Sequence, residues 1–219
     1  EGVRDYYHVG VIGYGGSVGP AFGGALAGKE LAPISAIANL PARIEERSKK
    51  TDDGAGGLVE QTVKFPVWFD PVAKGGTPMS QALTLARQVL TGWLAQHPSG
   101  FPPIVINITD GEATDGDPSS AATALRDLQT DDGQALLFNL HLSSHQAAPV
   151  QFPSDAAALP DKWAKLLFNL SSPLPPFMRE IAGQEGFPVS EGTRGFAFNA
   201  DMVTVIQFLD IGTRPNNLR

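Results

Sequence analysis

The chain has 219 residues, 42% of them hydrophobic, no cysteine and a formal net charge of −7. The acidic balance argues against a nucleic-acid partner, because phosphate contacts need a basic patch, and the absence of cysteine excludes disulfides, zinc–thiolate sites and thiol nucleophiles. No apolar run approaches the roughly 20 residues that span a bilayer, and no secretory signal is visible. The absence of cysteine fits the cytosol as well as the periplasm, and the expected compartment is the cytoplasm. Acidic residues interrupt the one basic cluster, Arg43–Arg47–Lys49–Lys50, which indicates a solvated face.

The first third of the chain predicts mostly extended structure. Residues 8–14 alternate in polarity and end in two glycines, which predicts a strand entering a tight turn. The Gly- and Ala-rich segment 21–35 predicts a short edge strand or a hairpin. The polar segment 42–57 predicts a helical turn followed by a flexible loop. Residues 59–69 predict an extended segment in which Pro66 marks an edge or a bulge.

The middle of the chain predicts a helix followed by a buried strand. Thr77 suits the N-cap position and Pro78 the first helical position, and apolar residues then recur at helical spacing over 79–94. The run 103–109 is almost continuously apolar, as expected for a parallel strand that is covered on both faces. It ends at Asp110–Gly111.

The rest of the chain continues the alternation of strands and helices. The predicted elements are helix 118–128, strand 135–142, an irregular stretch 146–160, helices 161–170 and 176–184, strand 195–198 and helix 200–211. This alternation predicts an α/β fold with a doubly wound, mainly parallel sheet flanked by helices. We expect a single domain over 1–219, with its core in 1–145 and a C-terminal part in 146–219.

Two motifs at predicted strand–helix junctions carry candidate chemistry. Gly75–Gly76–Thr77–Pro78–Met79 presents a hydroxyl at a helix start, and Ile108–Thr109–Asp110–Gly111 presents a carboxylate at a strand end. Thr77 alone is explained as an N-cap and Asp110 alone as part of a turn, but their joint occurrence favours a metal site. A hydroxyl, a carboxylate and waters form the oxygen set that Mg²⁺ prefers. His141 lies within an apolar strand and is more simply a core residue.

These motifs resemble part of the metal-ion-dependent adhesion site of von Willebrand factor A (vWA) domains. Gly76–Thr77–Pro78 and Thr109–Asp110–Gly111 are similar to the second and third parts of that site. The resemblance covers roughly residues 6–145 and implies a Rossmann-like fold. It implies that Thr77 is a direct ligand of Mg²⁺, Mn²⁺ or Ca²⁺, and that Asp110 is a direct or water-mediated one. The C-terminal part resembles a bacterial stand-alone subgroup, the TerY-type proteins, often encoded beside a Ser/Thr kinase and a metal-dependent protein phosphatase.

The sequence departs from the family's pattern at the first part of the site. Asp-x-Ser-x-Ser occurs nowhere in the 219 residues, and Asp117–Pro118–Ser119–Ser120 has the wrong spacing and predicts a helix start instead. We therefore expect the family's first, central strand and the helix after it to be missing from this chain, whether cleaved, omitted or supplied by another chain. This chain alone should then bind metal weakly or not at all.

Three functions remain open at this point. The expected one is a non-catalytic module whose cation recognises an acidic group of a partner protein, in a bacterial kinase–phosphatase signalling or stress system. The first alternative is a metal-dependent hydrolase that uses Asp110, Glu112 and Asp115, although the sequence shows no positioned nucleophile–base pair. The second is a structural subunit with a vestigial metal site. The segment 174–178 is a further candidate, as an exposed docking patch.

Overall fold

A computed structural model of the protein describes residues 2–52, 57–72, 74–143, 147–199 and 201–213. Two compact units make up the chain, Glu1–Gly75 and Gly76–Arg219. Within the described ranges, no helix combines the length and the apolar character that crossing a membrane requires. The single-domain prediction over 1–219 stays a prediction.

The first unit contains three antiparallel strand pairs among its described residues and a small core. Strand β1 pairs with β4, β2 with β3, and β5 with β6. Phe22, Leu26 and Ala32 are buried together, and the Trp68 indole N–H donates to the carbonyl oxygen of Ile37 at 2.6 Å. The elements are β1 (His8–Val9), β2 (Ile12–Tyr14), β3 (Val18–Pro20), a 3-10 helix (Gly24–Leu26), β4 (Ala32–Pro33), α1 (Ile34–Asn39), β5 (Arg43–Asp52) and β6 (Leu58–Val67).

One prediction for the start of this unit needs correction, and a second is confirmed in part. The strand expected over 8–14 is divided into β1 and β2, which belong to different sheets. The division falls at Gly10, where a Cβ would collide with the backbone carbonyl of Glu30, so the chain makes a close backbone approach there. The segment 21–35 contains β4, a short edge strand as one of its two predicted forms, together with the 3-10 helix and the start of α1, and it does not form a hairpin.

Strands β5 and β6 form a ten-residue antiparallel hairpin, in register from Arg43 opposite Val67 to Asp52 opposite Leu58. The helical turn predicted within 42–57 is therefore wrong, and residues 53–56 of that segment lie outside the described residues. Non-local pairing with β6 overrides the local polar pattern. At the foot of the hairpin, the Arg43 guanidinium forms an ion pair with Asp70 at 2.7 Å. The extended prediction for 59–69 is confirmed over β6.

The second unit contains the parallel sheet, in the order β11–β12–β10–β7. Strands β7, β10 and β12 run parallel, and β11 runs antiparallel to β12. This arrangement confirms the coarse α/β prediction, while the doubly wound vWA topology stays a prediction. The strands are β7 (Ile104–Thr109), β8 (Gln129–Thr130), β9 (Gly133–Gln134), β10 (Leu136–His141), β11 (Val150–Gln151) and β12 (Phe196–Phe198). The helices are α2 (Met79–Leu94), α3 (Ser119–Arg126), α4 (Lys162–Leu170), α5 (Pro176–Gln184) and α6 (Met202–Thr213).

Helices cover both faces of this sheet. Alternate residues of β10 point to opposite faces. On one face, Phe138 belongs to a cluster with α5 and α6, in which the rings of Phe152 and Phe208 stack at 5.0 Å. On the other face, Asn139 is bonded to α4, which packs against β10. The docking patch predicted at 174–178 is wrong as an exposed surface, because Leu174 and Met178 are buried in the first cluster.

Candidate metal-binding site

Strand β7 places Asp110 at the carboxyl end of the sheet. Thr109 is buried, and its hydroxyl both donates to the Gly111 carbonyl at 3.2 Å and accepts from the Gly111 amide at 3.3 Å. These two hydrogen bonds between the Thr109 side chain and the Gly111 backbone hold the chain on both sides of Asp110. The Asp110 side chain is exposed, and no hydrogen bond or ion pair to it occurs among the described residues. Its carboxylate therefore remains available to a ligand.

The backbone of Thr77 is bonded to the loop that follows β7. The Thr77 amide donates to the Thr114 hydroxyl at 2.8 Å, and the Thr114 amide donates to the Thr77 carbonyl at 2.9 Å. The contact requires glycine at position 76, because a Cβ there would collide with the Thr114 side chain. The Thr77 side chain is half-buried, and its hydroxyl has no hydrogen-bond partner in the described part of the chain. The structure thus bonds the first predicted motif to Thr114, three residues beyond the end of the second motif, and Met79 and Gly111 of the two motifs line one small pocket.

Asp115 holds the start of α2, and this corrects the prediction that Thr77 is the N-cap. The helix begins at Met79, and its terminal amides at Ser80 and Gln81 donate to the two carboxylate oxygens of Asp115 at 3.2 and 2.9 Å. The first amides of a helix lack partners within the helix, so a carboxylate is favourable there. Asp115 lies 35 residues away in sequence from Ser80, and no local signal indicates its role.

Asp117 has an equivalent structural role at the start of α3. The Ser119 hydroxyl and amide both donate to Asp117 Oδ1, at 2.6 and 2.9 Å. Both bonds hold the pKa of the Asp117 carboxyl below its usual range, and the bond from the Ser119 hydroxyl contributes more than the bond from the Ser119 amide. The prediction that Asp117–Pro118–Ser119–Ser120 marks a helix start is confirmed. Of the acidic residues in the loop, Asp110 and Glu112 are exposed and make no side-chain hydrogen bond to other described residues.

A small apolar pocket lies beneath this loop. It has room for about one water molecule, which is far less than the space that a small-molecule substrate needs. Half of its lining residues are hydrophobic residues of α2 and α4. Its lining is Met79, Gly111, Glu112, Ala113, Pro118, Trp163, Leu166 and Leu167. Beside this pocket the Asp110 side chain is exposed to solvent and the Thr77 side chain is half-buried.

A buried polar network lies under the strand ends, and the sequence analysis missed it. The Asn107 side-chain amide donates to Asn139 Oδ1 at 2.8 Å, and Asn139 in turn donates to the Ser171 hydroxyl at 2.9 Å. The sequence does contain a signal for this network, because Asn107 and Asn139 each lie inside an apolar strand. A buried asparagine side chain needs hydrogen-bond partners. His141 is also buried, with its ring 5.3 Å from that of Phe198, as the core interpretation expects. The other histidine of this region, His145, which follows the strand predicted over 135–142, lies outside the described residues.

The donor chemistry at the junction is compatible with part of a hard-cation site. Thr77 and Asp110 offer a neutral hydroxyl and one carboxylate, both oxygen ligands. Within the described ranges, no group of three or more His, Cys, Asp or Glu side chains is arranged to hold a metal ion. Comparisons of the chain with protein-family models, curated proteins and solved structures found no match.

Proposed function

We propose that this chain is a vWA-type binding module that uses Mg²⁺, or in its place Mn²⁺ or Ca²⁺, to recognise an acidic group of a partner protein. One observation carries this proposal: the Thr77 segment and the loop after β7 are hydrogen bonded to each other. At this junction the Thr77 hydroxyl and the Asp110 carboxylate have no partner among the described residues. Thr77 and Asp110 are the proposed metal residues.

The charge of these two groups favours binding over catalysis. One carboxylate and one neutral hydroxyl compensate one of the ion's two positive charges, so the bound ion would keep a net positive charge that attracts a partner's Asp or Glu. Mg²⁺ requires about six oxygen ligands, and this chain offers two protein donors at the junction. We therefore expect weak metal affinity, with waters completing the shell until a carboxylate displaces one of them.

The hydrolase alternative receives less support from the same geometry. It assigns Asp115 to the metal, yet both carboxylate oxygens of Asp115 accept helix amides. The pocket beside Glu112 has room for about one water molecule, too little for a substrate. The proposed setting, a cytoplasmic signalling or stress system with a Ser/Thr kinase and a protein phosphatase, rests on the sequence resemblance alone.

Titration with Mn²⁺, followed by paramagnetic broadening of backbone amide resonances, tests the metal site. Broadening should concentrate on the amides around residues 77 and 110, and Thr77→Ala or Asp110→Ala should reduce it several-fold. Asp132→Ala is the matched control, since Asp132 is an exposed acid in the same unit and should leave the broadening unchanged. Equal broadening in all four proteins would instead support a vestigial site.

A turnover assay separates binding from catalysis. Hydrolysis of a chromogenic phosphate monoester in the presence of Mn²⁺ should stay at the background rate for the unsubstituted chain. Turnover that Asp110→Ala abolishes and Asp132→Ala preserves would favour the hydrolase alternative and overturn the binding proposal.

A further inference from the structure

The β5–β6 hairpin exposes a long strand edge. It is a two-stranded sheet in the described part of the chain, and a two-stranded hairpin by itself is at best marginally stable in water. Most of its side chains are exposed, among them Phe65 at 44% and Val59 at 53%. The outer edge of such a strand is a template for pairing with another strand. The residues along that edge decide which partner fits.

The charges of β6 are self-complementary about Thr62. Glu60 and Lys64 lie two residues on either side of it, and Val59 and Phe65 lie three residues on either side. In a symmetric antiparallel pair of identical strands centred on Thr62, residue 62−n of one copy faces residue 62+n of the other. Each Glu60 then faces a Lys64, and each Val59 faces a Phe65. Opposite-charge and aromatic–β-branched pairs are both favourable cross-strand neighbours.

We propose that the outer edge of β6 pairs antiparallel with the same edge of a second copy of this chain, with Thr62 on the two-fold axis. The hairpin register extends the charge pattern across four strands. Glu46 lies opposite Lys64, and Lys50 lies opposite Glu60 within one hairpin. Four neighbouring side chains therefore lie side by side across the four strands of the dimer: Glu46 and Lys64 of one copy, then Glu60 and Lys50 of the second copy. Each of them has a neighbour of opposite charge on the adjacent strand.

The other edge of the hairpin does not share this property. A symmetric pair of β5 strands centred on Arg47 places two Arg47 side chains opposite each other. Centred on Ser48, it places Arg47 opposite Lys49. Centred on Glu46, it pairs Arg47 with Glu45 but places two Glu46 side chains opposite each other and Arg43 opposite Lys49. Like charges directly opposite each other are unfavourable. Shifting the centre of β6 by one residue also loses its ion pairs, so complementarity selects one edge and one register.

Charge-reversed variants test this pairing when they are mixed. In a homodimer, Glu60→Lys alone places the introduced lysine opposite Lys64, and Lys64→Glu alone places the introduced glutamate opposite Glu60. In the mixed dimer every facing pair is again opposite in charge. Sedimentation should show sub-millimolar dimerisation of the unsubstituted chain, because a strand-pair interface is smaller than a standard one. Each variant alone should dimerise roughly tenfold or more weakly, and the equimolar mixture should recover the original affinity.

Mixing also controls for effects within one chain. Each reversal creates a like-charge pair inside its own hairpin, at Lys50 or Glu46, but that defect is the same in the mixture and in the separate proteins. A mixture that associates no more strongly than its components would overturn the proposal. A monomeric unsubstituted chain at sub-millimolar concentration would overturn it as well.

A single introduced cysteine tests the register. The chain has no cysteine, so Thr62→Cys carries the only thiol. Cβ atoms of directly opposed residues lie about 4.5–5.5 Å apart, close to the separation that a disulfide needs. Mild oxidation should therefore give a covalent dimer. Ser48→Cys is the matched control, because Ser48 is exposed and lies opposite Thr62 on β5. Equal crosslinking rates for the two variants would refute the Thr62-centred register.

Discussion

Removing the Asp115 carboxylate should destabilise the second unit by about 2 kcal/mol. The carboxylate accepts from the Ser80 and Gln81 amides at 3.2 and 2.9 Å, at the start of the 16-residue helix α2. Loss of a side-chain cap costs about 1 kcal/mol. The second amide and the favourable position of a negative charge at the helix start contribute up to about 1 kcal/mol more. With a urea slope of about 2 kcal/mol per molar, Asp115→Ala should lower the unfolding midpoint by about 1 M.

Tryptophan fluorescence measures this change, since Trp93 lies in α2 and Trp163 in α4. Trp68 of the first unit is replaced by Phe in every protein compared, so that the signal reports the second unit. Glu112→Ala is the matched control, because Glu112 is an exposed acid of the same loop without a side-chain hydrogen bond in the described part. Asp115→Asn should give an intermediate midpoint, because the single amide oxygen of asparagine can accept from one of the two helix amides and carries no charge. Equal midpoints for Asp115→Ala and Glu112→Ala would refute the capping role.

Three further perturbations follow from single contacts. Gly76→Ala should lower the unfolding free energy by about 1–3 kcal/mol, measured by urea unfolding, because its Cβ would collide with Thr114. Asn139→Ala should cost about 2–4 kcal/mol in the same assay, because it removes the buried acceptor that Asn107 uses; no change would contradict the network. The Arg43 guanidinium, which hydrogen bonds to Asp70, holds the pKa of that carboxyl below its usual value of 3.8. Arg43→Ala should return the pKa of Asp70 to its usual value, as measured by a carbon-detected NMR titration. In the unsubstituted protein, the ion pair contributes its full stabilisation above pH 3.8 and should lose it as the pH falls through the lowered pKa of Asp70.

Local signals account for the elements that the sequence predicted well. The apolar stripe of α2 and the continuous apolar runs of β7 and β10 come from residues near each other in sequence, so they could be recognised without tertiary information. The N-terminal cap of helix α4 is also provided by a residue next to the helix in sequence. Asp161 precedes it and accepts from the Trp163 and Ala164 amides, both at 2.8 Å.

Non-local contacts account for the errors. Segment 42–57 is polar and charged, yet it contains β5 because ten residues of β6 pair with it. Thr77 has the right residue type for a cap, but its amide is bonded to Thr114 while Asp115 caps the helix. Both outcomes depend on residues that meet only after the chain folds, and one sequence offers no period or spacing that would reveal them.

The carboxylates in the loop after β7 differ in their hydrogen-bond partners, and this difference separates those expected to stabilise the fold from the one proposed to bind metal. Asp115 and Asp117 accept helix amides, so substituting them should reduce stability. Asp110 is exposed and accepts no hydrogen bond in the described part, so Asp110→Ala should leave the unfolding midpoint within about 0.5 kcal/mol of the original while reducing Mn²⁺ broadening. If Asp110→Ala instead destabilised the unit as much as Asp115→Ala does, Asp110 would be a structural residue. The metal proposal would then lose its carboxylate, and Thr77 alone could not support it.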